Sequence, residues 1–254
     1  LSSIAYKYGY LDWARKINKH LKGKSILEIG VGSGLHAIGY IIHGAKNFTG
    51  IEPFCDFDNS IGVNKKTGKS EDLELSLNQI MKSSLNIKYI KNDFNLVKFN
   101  EKFDLIILHN VTEHLMEINK SFKKISGLLN VDGSILFNHH NFYCWDGHHM
   151  QPRTVDKISN NDLEQKKYSD WRHLEKKYPK DHYINGGLNK IRLDDLKNLT
   201  RKYFKIKEWN EIPSTQNQGL SRLTNSIVYK FSSKYSFREL STKHVFCVAE
   251  SKKD

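Results

Sequence analysis

The sequence is poor in cysteine, and the few cysteines are far apart. Three occur among 254 residues, at Cys55, Cys144 and Cys247. No C-x-x-C pair is present, so the chain lacks the pattern typical of a zinc or dithiol redox site. An odd number of widely spaced cysteines is typical of a reducing compartment, and we expect a cytoplasmic protein.

Long apolar runs are also absent. No stretch approaches the roughly 18 consecutive apolar residues that a membrane helix needs, and the mean hydropathy is −0.60. We therefore expect no membrane span. The chain begins at Leu1 without a basic and then apolar leader, but it also lacks an initiator methionine, so a targeting segment stays an open alternative. No internal repeat or low-complexity linker divides it. These absences favour a single soluble domain over residues 1–254.

Glycine is concentrated where the first strand is predicted to end. Residues 25–36 read Ser-Ile-Leu-Glu-Ile-Gly-Val-Gly-Ser-Gly-Leu-His, a short apolar run followed by three alternating glycines. This pattern predicts a buried strand, a tight turn and a helix, which is where open α/β sheets bind ligands. A dinucleotide fingerprint requires glycine at position 35, and Leu35 stands there. The spacing therefore disfavours NAD.

The segment Glu-Ile-Gly-Val-Gly-Ser-Gly resembles the first motif of class I S-adenosylmethionine-dependent methyltransferases. The resemblance covers about residues 20–140. It implies a Rossmann-like α/β fold with a seven-stranded, mostly parallel sheet and helices on both faces. It also implies S-adenosylmethionine as the cofactor and S-adenosylhomocysteine as the product. The cofactor-binding residues implied by this motif are Glu28, Gly30, Gly32 and Gly34.

Further positions match the same family in order. Glu52 follows the second predicted strand, at the spacing expected of an acid that accepts hydrogen bonds from both ribose hydroxyl groups. The resemblance implies that Asp93 accepts a hydrogen bond from the adenine amine and that Phe94 packs against the ring. His109 ends the fourth predicted strand and is also assigned to cofactor binding. Residues 111–115 then resemble the Glu-His step of small-molecule methyltransferases.

Each of these positions also has a purely structural interpretation. The glycines can form a plain strand-to-helix turn, and Glu52 can be a solvated loop acid. Asp93 can be a turn or cap residue, and Phe94 can belong to the core. His114, at a helix start, is more often structural than catalytic. Because the family motifs occur in the expected order along the chain, the functional interpretation is favoured, most strongly for the glycine turn.

Alternating apolar and helical segments predict the rest of the sheet. An amphipathic helix over residues 1–20 carries Tyr6, Tyr8, Tyr10 and Trp13. Strands are predicted at 47–52, 87–91, 103–109 and 133–137, helices at 119–130 and from 192, and closing strands before 212 and at 244–250. This alternation is typical of a parallel sheet between helices. Two segments lie outside this alternating pattern and are predicted to be substrate-covering insertions, residues 141–190 and 213–243.

The first insertion opens with a histidine-rich loop, residues 138–153, which is predicted to begin at the carboxyl edge of the sheet. Methyl transfer from a sulfonium is an in-line displacement, so a hydroxyl acceptor needs one base to remove its proton. Histidine suits this role at neutral pH. The catalytic candidates are His148 and His149, followed by His139 and His140.

The same loop offers an alternative set of ligands for a divalent ion. They would come from His140, Asp146, His148 and His149. Their spacing alone does not favour a metal site, so we expect no metal ligand.

The histidine-rich loop is similar to that of bacterial methyltransferases that modify surface-polysaccharide sugars. This resemblance favours O-methylation of a sugar hydroxyl, with a nucleotide-linked or phosphorylated sugar as the substrate. The Asn-Pro-Pro-Tyr tetrapeptide of amino-methylating nucleic-acid enzymes is absent, as is a Pro-Cys pair. An RNA methyltransferase, a methyltransferase of another small molecule and a non-catalytic cofactor-binding protein remain as alternatives.

A formal net charge of +12 raises the question of nucleic acid. The lysines are scattered along the chain, and residues 164–180 mix both signs, as a solvated helical face does. A basic protein also attracts anionic small substrates. We therefore favour a small molecule over nucleic acid, and the sequence does not indicate an oligomeric state.

Overall fold

A computed structural model describes residues 1–83 and 86–252 of the chain. The described strands are β1 (Ser25–Ile29), β2 (Asn47–Ile51), β3 (Ile61–Val63), β4 (Ser70–Asp72), β5 (Ile87–Ile90), β6 (Phe103–His109), β7 (Leu129–His140), β8 (Phe204–Pro213) and β9 (Thr242–Ser251). Seven of them form one sheet in the order β5-β2-β1-β6-β7-β9-β8. The predicted seven-stranded, mostly parallel Rossmann-like sheet is confirmed.

The helices within the described residues are mostly short. They are α1 (Ser2–Lys7), α2 (Leu11–Lys16), α3 (His36–Ile42), α4 (Leu77–Ser83), α5 (Ile118–Leu128), α6 (Tyr183–Gly186), α7 (Leu193–Tyr203), α8 (Asn225–Phe231) and α9 (Phe237–Ser241). In α7, Leu193, Leu196 and Thr200 are buried. This spacing places one apolar stripe against the protein, as expected of an amphipathic helix.

Strand β1 occupies the centre of the first part of the sheet. It pairs in parallel with β2 and β6, so that Leu27 lies opposite Thr49 on one side and Ile106 on the other. Ile26 and Leu27 are fully buried, as expected of a parallel strand that is covered on both faces. Because these strands run in the same direction, their carboxyl ends meet at one edge, where the glycine turn begins.

The chain divides into two compact units. The first comprises Leu1–His109, Lys123–Leu136 and the segment from Glu250, and the second comprises Asn110–Phe122 and Phe137–Ala249. The first unit contains the glycine turn with β1, β2, β5 and β6. The second contains the histidine-rich segment with β8. The organisation as a single domain stays a prediction.

The N-terminal region differs from the predicted single helix. Helices α1 and α2 are separated at Gly9, whose φ of +77° is a conformation that favours glycine. The break directs Tyr8 and Tyr10 into the protein, at 4% and 1% exposure, while Tyr6 stays 60% exposed. A β3–β4 hairpin between β2 and α4 is a further element that the sequence did not predict.

Strand β7 is longer than expected, and it continues through His139 and His140. These two residues therefore belong to the sheet, and the loop begins at Asn141. The two predicted insertions contain α6, α8 and α9 together with single-turn helices. Within residues 1–83 and 86–252, no helix has the length and apolar character needed to cross a bilayer.

Candidate functional site

The turn after β1 has a backbone that strongly favours glycine. Gly30, Gly32 and Gly34 have φ angles of 76°, 56° and 74°, all in the left-handed region. A Cβ at Gly34 would lie 2.3 Å from a methyl carbon of Leu77, whereas one at Gly32 would meet no atom within 4 Å. Gly34 is therefore required for packing, and Gly32 exposes backbone to an open space that a ligand can enter.

A cavity of about 340 Å³ lies beside this turn, within the first unit. Gly32 and Ser33 line it from the turn, and Glu52 and Phe54 line it from the end of β2. The Phe54 backbone N–H donates to Glu52 Oε1 at 3.2 Å and thereby orients the carboxylate. The cavity has the size of a small-molecule site, and the accessible carboxylate fits the predicted contact with ribose hydroxyl groups.

Glu28 lies under the turn and is 1% exposed. Tyr40 donates its hydroxyl proton to Glu28 Oε1 at 2.9 Å. Burial raises the pKa of Glu28 to about 8, against the opposing effects of the Tyr40 hydrogen bond and the Lys65 charge. Its Oε2 has no hydrogen-bond partner among the described residues. One oxygen of this carboxyl group is therefore available to hold a proton or to accept from a ligand.

The two residues predicted to contact adenine lie in different environments. Asp93 is exposed, and its Oδ1 accepts from the Asn95 N–H at 2.6 Å. Phe94 is 4% exposed, with its ring centroid 6.2 Å from that of Phe99 and 4.6 Å from Lys124 Nζ. Neither belongs to the described residues that line the cavity. These contacts agree with the core interpretation of Phe94, and an adenine contact for either residue stays a prediction.

His109 forms part of an aromatic cluster in the first unit. Its ring stacks on Trp13 of α2, with centroids 3.9 Å apart and planes 7° apart. His36 of α3 approaches edge-on at 5.2 Å. Burial lowers the pKa of His36 to about 3, so this imidazole is neutral at physiological pH. The cluster fixes His109 at the carboxyl end of β6, and its contact with the cofactor stays a prediction.

Two of the four predicted catalytic histidines are almost fully buried. His139 is 1% exposed and His148 is 0% exposed. His139 Nδ1 lies 2.9 Å from Thr112 Oγ1, and His148 Nδ1 accepts from the Met150 N–H at 2.9 Å. Their burial and local hydrogen bonds suit side chains that position their neighbours.

The other two, His140 and His149, lie beside Glu113, which the sequence did not predict to be a site residue. The two imidazole centroids are 4.6 Å apart, with planes 24° apart. A potential ligand atom of each of the three side chains lies within 4.8 Å of the other two. Glu113 Oε1 and His149 Nε2 have no hydrogen-bond partner among the described residues. We call Glu113, His140 and His149 the Glu–His cluster.

The Glu–His cluster combines groups whose affinities for protons are shifted in opposite directions. Burial raises the pKa of Glu113 to about 8. Burial, followed by the charge of His140, lowers the pKa of His149 to about 2. Both side chains are therefore mainly uncharged near pH 7. This is a pairing that enzymes use for proton transfer.

A buried ion pair holds His140 in place. His140 Nε2 lies 3.3 Å from Asp146 Oδ1, and Lys243 Nζ donates to Asp146 Oδ2 at 2.6 Å. Burial alone would raise the pKa of Asp146, but the hydrogen bonds and charges of His140 and Lys243 keep it below its ordinary value. A second group of potential metal ligands consists of His140, Cys144 and Asp146. In this group the ammonium of Lys243 already balances the charge of Asp146.

His114 borders the same cluster. Its Nδ1 lies 2.8 Å from the Gly187 carbonyl oxygen, to which it donates, so that Nε2 is left as the acceptor. Its ring meets that of His149 edge-on, with centroids 5.1 Å apart. The sequence pattern pointed to the neighbouring residues Glu113 and His114. Both side chains lie in or next to the Glu–His cluster of the second unit.

Comparison with known families agrees with the fold and the glycine turn. The model of the methyltransferase domain family matches residues 6–203 of this chain. The matched segment includes Glu52 and the whole Glu–His cluster, and it ends where β8 begins.

Solved structures with the same fold include methyltransferases. An S-adenosylmethionine-dependent methyltransferase from Mesorhizobium loti superposes with a TM-score of 0.56 at 16% identity, over 94% of this chain and 96% of that one. The N-methyltransferase NodS from Bradyrhizobium japonicum, in complex with S-adenosylhomocysteine, gives 0.50 at 11% identity, over 96% and 86%. At these identities the similarity shows the fold.

A curated relative matches a shorter part of the chain. The ubiquinone biosynthesis O-methyltransferase of Coxiella burnetii is 28% identical over 119 residues, which are 46% of this chain and 44% of the relative. The match therefore spans less than half of that relative.

Proposed function

We propose that this chain, which belongs to the methyltransferase domain family and is an S-adenosylmethionine-dependent methyltransferase, methylates a hydroxyl oxygen of a sugar. The observation that carries the proposal is the Glu–His cluster, which brings an unprotonated imidazole and a buried carboxyl group within 4.8 Å of each other. Such a pair suits an acceptor that must lose a proton during transfer, as a hydroxyl group does.

The residues of the first unit fit the cofactor. S-adenosylmethionine supplies a methyl group on a sulfonium, which a nucleophile attacks in line. Gly32 leaves an open approach to the backbone, and Glu52 presents a carboxylate into the adjacent cavity. In the proposal, Glu52 binds the ribose hydroxyl groups, and the remaining glycines hold the turn in its left-handed conformation.

His149 is the first candidate for the base. Its Nε2 has no partner among the described residues, and the ring is neutral near pH 7. When His149 receives the hydroxyl proton, the positive charge of the imidazolium favours ionisation of the neighbouring Glu113 carboxyl group, which then stabilises it. His140 stacks on it and is held by Asp146. His139 and His148 complete the proposed set as positioning residues.

The surroundings of His149 support an anionic, ring-shaped acceptor. Tyr183 is 44% exposed, and its ring centroid lies 6.4 Å from that of His149, so an aromatic face borders the cluster. Arg153 forms no ion pair among the described residues, and its charge contributes to the lowered pKa of both His114 and His149. A free guanidinium next to an aromatic face suits a phosphorylated or nucleotide-linked sugar. The name of the Coxiella relative supports oxygen as the methylated atom.

Transfer of labelled methyl groups to a panel of acceptors tests the substrate class. The panel contains nucleotide-linked sugars, sugar phosphates, free sugars, a phenol and bulk RNA, each at low and moderate salt. The proposal predicts label on a phosphorylated or nucleotide-linked sugar. Label on RNA, with a steep loss of binding as salt increases, would replace the proposal with nucleic-acid methylation. Label on the phenol alone would indicate another small molecule.

The Arg153→Met variant, assayed with the same panel, tests whether the guanidinium contacts the phosphate. It is expected to raise KM for a sugar phosphate about tenfold or more, because one charged contact is lost, and to leave KM for a neutral sugar unchanged. An equal effect on both acceptors would show that Arg153 does not read the phosphate.

Activation by a divalent ion is a second candidate mechanism, and the Glu–His cluster is the observation that favours it. One carboxylate and two imidazoles within 4.8 Å are of the types that bind zinc and similar ions. Metal analysis of the purified protein, together with turnover before and after chelation, separates the two mechanisms. A histidine base predicts turnover that is unchanged by chelation and by added ions.

A further inference from the structure

The cavity beside the glycine turn lacks a cation for one end of the cofactor. Its described lining includes the acidic residues Glu52 and Asp56 and contains neither lysine nor arginine. S-adenosylmethionine carries an amino-acid carboxylate at the end opposite its adenosine. If Glu52 binds the ribose, this carboxylate extends beyond the ribose, where a positive group outside the lining would stabilise it.

The β3–β4 hairpin packs directly on the glycine turn and on the N-terminal segment. A Cβ at Gly62 would lie 3.0 Å from the Ser33 Cβ, so the hairpin backbone touches the turn. The Tyr10 hydroxyl donates to the Val63 carbonyl at 2.7 Å and accepts from Ser33 Oγ at 2.7 Å. The tip is fixed as well, because the Lys65 N–H donates to the Tyr8 carbonyl at 2.9 Å.

Lys65 at this tip directs its ammonium group back toward the turn. Its Nζ lies 5.3 Å from the centroid of the Tyr10 ring. Its positive charge acts on both Glu28 and His36. The residue as a whole is exposed, yet surrounding protein lowers the pKa of its ammonium. The exposure of the residue and the lowered pKa are both expected if the ammonium group lies inside a cleft that is open to solvent.

Lys65 forms no ion pair with any of the described residues. Within the part of the chain that the structure describes, no carboxylate lies within ion-pair distance of its Nζ. The neighbouring Lys66, on the same turn, instead lies over the Tyr6 ring, 4.4 Å from its centroid. The two lysines therefore face different surroundings.

We propose that Lys65 binds the amino-acid carboxylate of the cofactor and that the β3–β4 hairpin covers this end of the cofactor site. The hairpin lies between β2 and α4, and it supplies a charge that the glycine turn and the described lining of the cavity do not contain. Lys65 is thus a cofactor-binding residue in addition to Glu28, Glu52 and the glycines.

Calorimetric binding of two ligands to the full chain tests this proposal. S-adenosylhomocysteine has the amino-acid carboxylate, and 5′-methylthioadenosine has the same adenosine and thioether without it. Lys65→Met is expected to weaken S-adenosylhomocysteine binding about 10- to 100-fold, the range for a lost charged contact, and to leave 5′-methylthioadenosine binding within about twofold. Lys65→Arg should retain most of the affinity for both.

Lys66→Met is the matched control, and both affinities should stay unchanged. Equal losses for the two ligands in Lys65→Met would overturn the proposal, since they would indicate a structural role for the side chain. Unchanged S-adenosylhomocysteine affinity would also overturn it. Added salt should weaken binding of S-adenosylhomocysteine to the natural chain more than to Lys65→Met, because an ion pair is screened.

Discussion

His149 stacks on His140, with ring centroids 4.6 Å apart, and His140 in turn contacts the buried Asp146. This arrangement fixes the orientation of an imidazole whose Nε2 has no hydrogen-bond partner among the described residues. A carboxyl oxygen of Glu113 lies within 4.8 Å of a ring nitrogen of this imidazole. The proposed proton transfer therefore depends on a preorganised group of side chains rather than on one mobile histidine.

Removal of the His149 imidazole should reduce turnover far more than cofactor binding. His149 has a φ of +62°, and asparagine tolerates this region well, so His149→Asn is the conservative variant. We expect kcat to fall about 100-fold or more, and the Kd for S-adenosylhomocysteine to change less than about twofold. His43→Asn serves as the control. Normal kcat in His149→Asn would show that another group receives the proton.

Glu52→Gln should weaken cofactor binding. The neutral amide cannot accept two hydroxyl hydrogen bonds as strongly as a carboxylate, so the Kd should rise about 10- to 100-fold. Asp56→Asn is the matched control, because Asp56 lines the same cavity but accepts from the backbone N–H groups of Asp58 and Asn59. Titration of both variants with S-adenosylhomocysteine checks the prediction, and equal losses would contradict the ribose assignment.

Glu28 should make the protein less stable as the pH rises. Its pKa is about 8 in the fold, against an ordinary value of 4.5, so the native state binds the proton more tightly than the unfolded chain. The stabilising effect of the bound proton is complete at pH values below the ordinary pKa of 4.5. It is lost as the pH rises through the pKa of about 8 that Glu28 has in the fold.

Glu28→Gln removes this titration. Denaturant unfolding between about pH 4.5 and 8 should show a weaker decline in the free energy of unfolding than in the natural chain. The largest difference in slope is about 1.4 kcal/mol per pH unit. Glu117→Gln, on an exposed residue, should leave the decline unchanged. Parallel curves for Glu28→Gln and the natural chain would show that Glu28 is ionised in the fold.

Lys243→Met should strongly destabilise the protein. It leaves Asp146 as a buried carboxylate without its main counter-ion, which typically costs about 3–5 kcal/mol in free energy of unfolding. The double variant with Asp146→Leu should recover part of this loss, since the unpaired charge is gone. The exposed pair of Lys230 and Glu175 provides the comparison, and Lys230→Met should cost less than about 1 kcal/mol.

The strands of the first unit could be predicted from the sequence because each is a local pattern. The apolar run before Gly30, the run that ends at Ile51 and the run that ends at His109 all fall within a residue or two of the observed strands. Three alternating glycines after a buried strand leave few alternatives to a ligand-binding turn. The spacing to Glu52 then depends on one α–β unit, whose length varies little.

The hairpin and the break at Gly9 could not be predicted in the same way. Strands β3 and β4 contain only three residues each and are largely exposed, so they are too short to give a clear periodicity. A single glycine within a helical pattern is tolerated often enough that it does not predict an interruption.

The Glu–His cluster and its ion pair depend on distant contacts. Glu113 precedes β7, whereas His149 follows it, and only the fold brings them together. Lys243 stands 97 residues from Asp146 and looks like any other lysine in a basic chain. The sequence could therefore indicate which residue types were concentrated in the histidine-rich segment, but it could not indicate which of them meet.

In the proposed reaction, the methyl group passes from S-adenosylmethionine to a hydroxyl oxygen. The most direct measurement is NMR of the product formed from isotope-labelled S-adenosylmethionine and the acceptor that takes up label, because the methyl chemical shift distinguishes attachment to oxygen, nitrogen or carbon. We predict an O-methyl signal on a sugar ring, and its absence in His149→Asn. An N-methyl or C-methyl signal would contradict transfer to a hydroxyl oxygen.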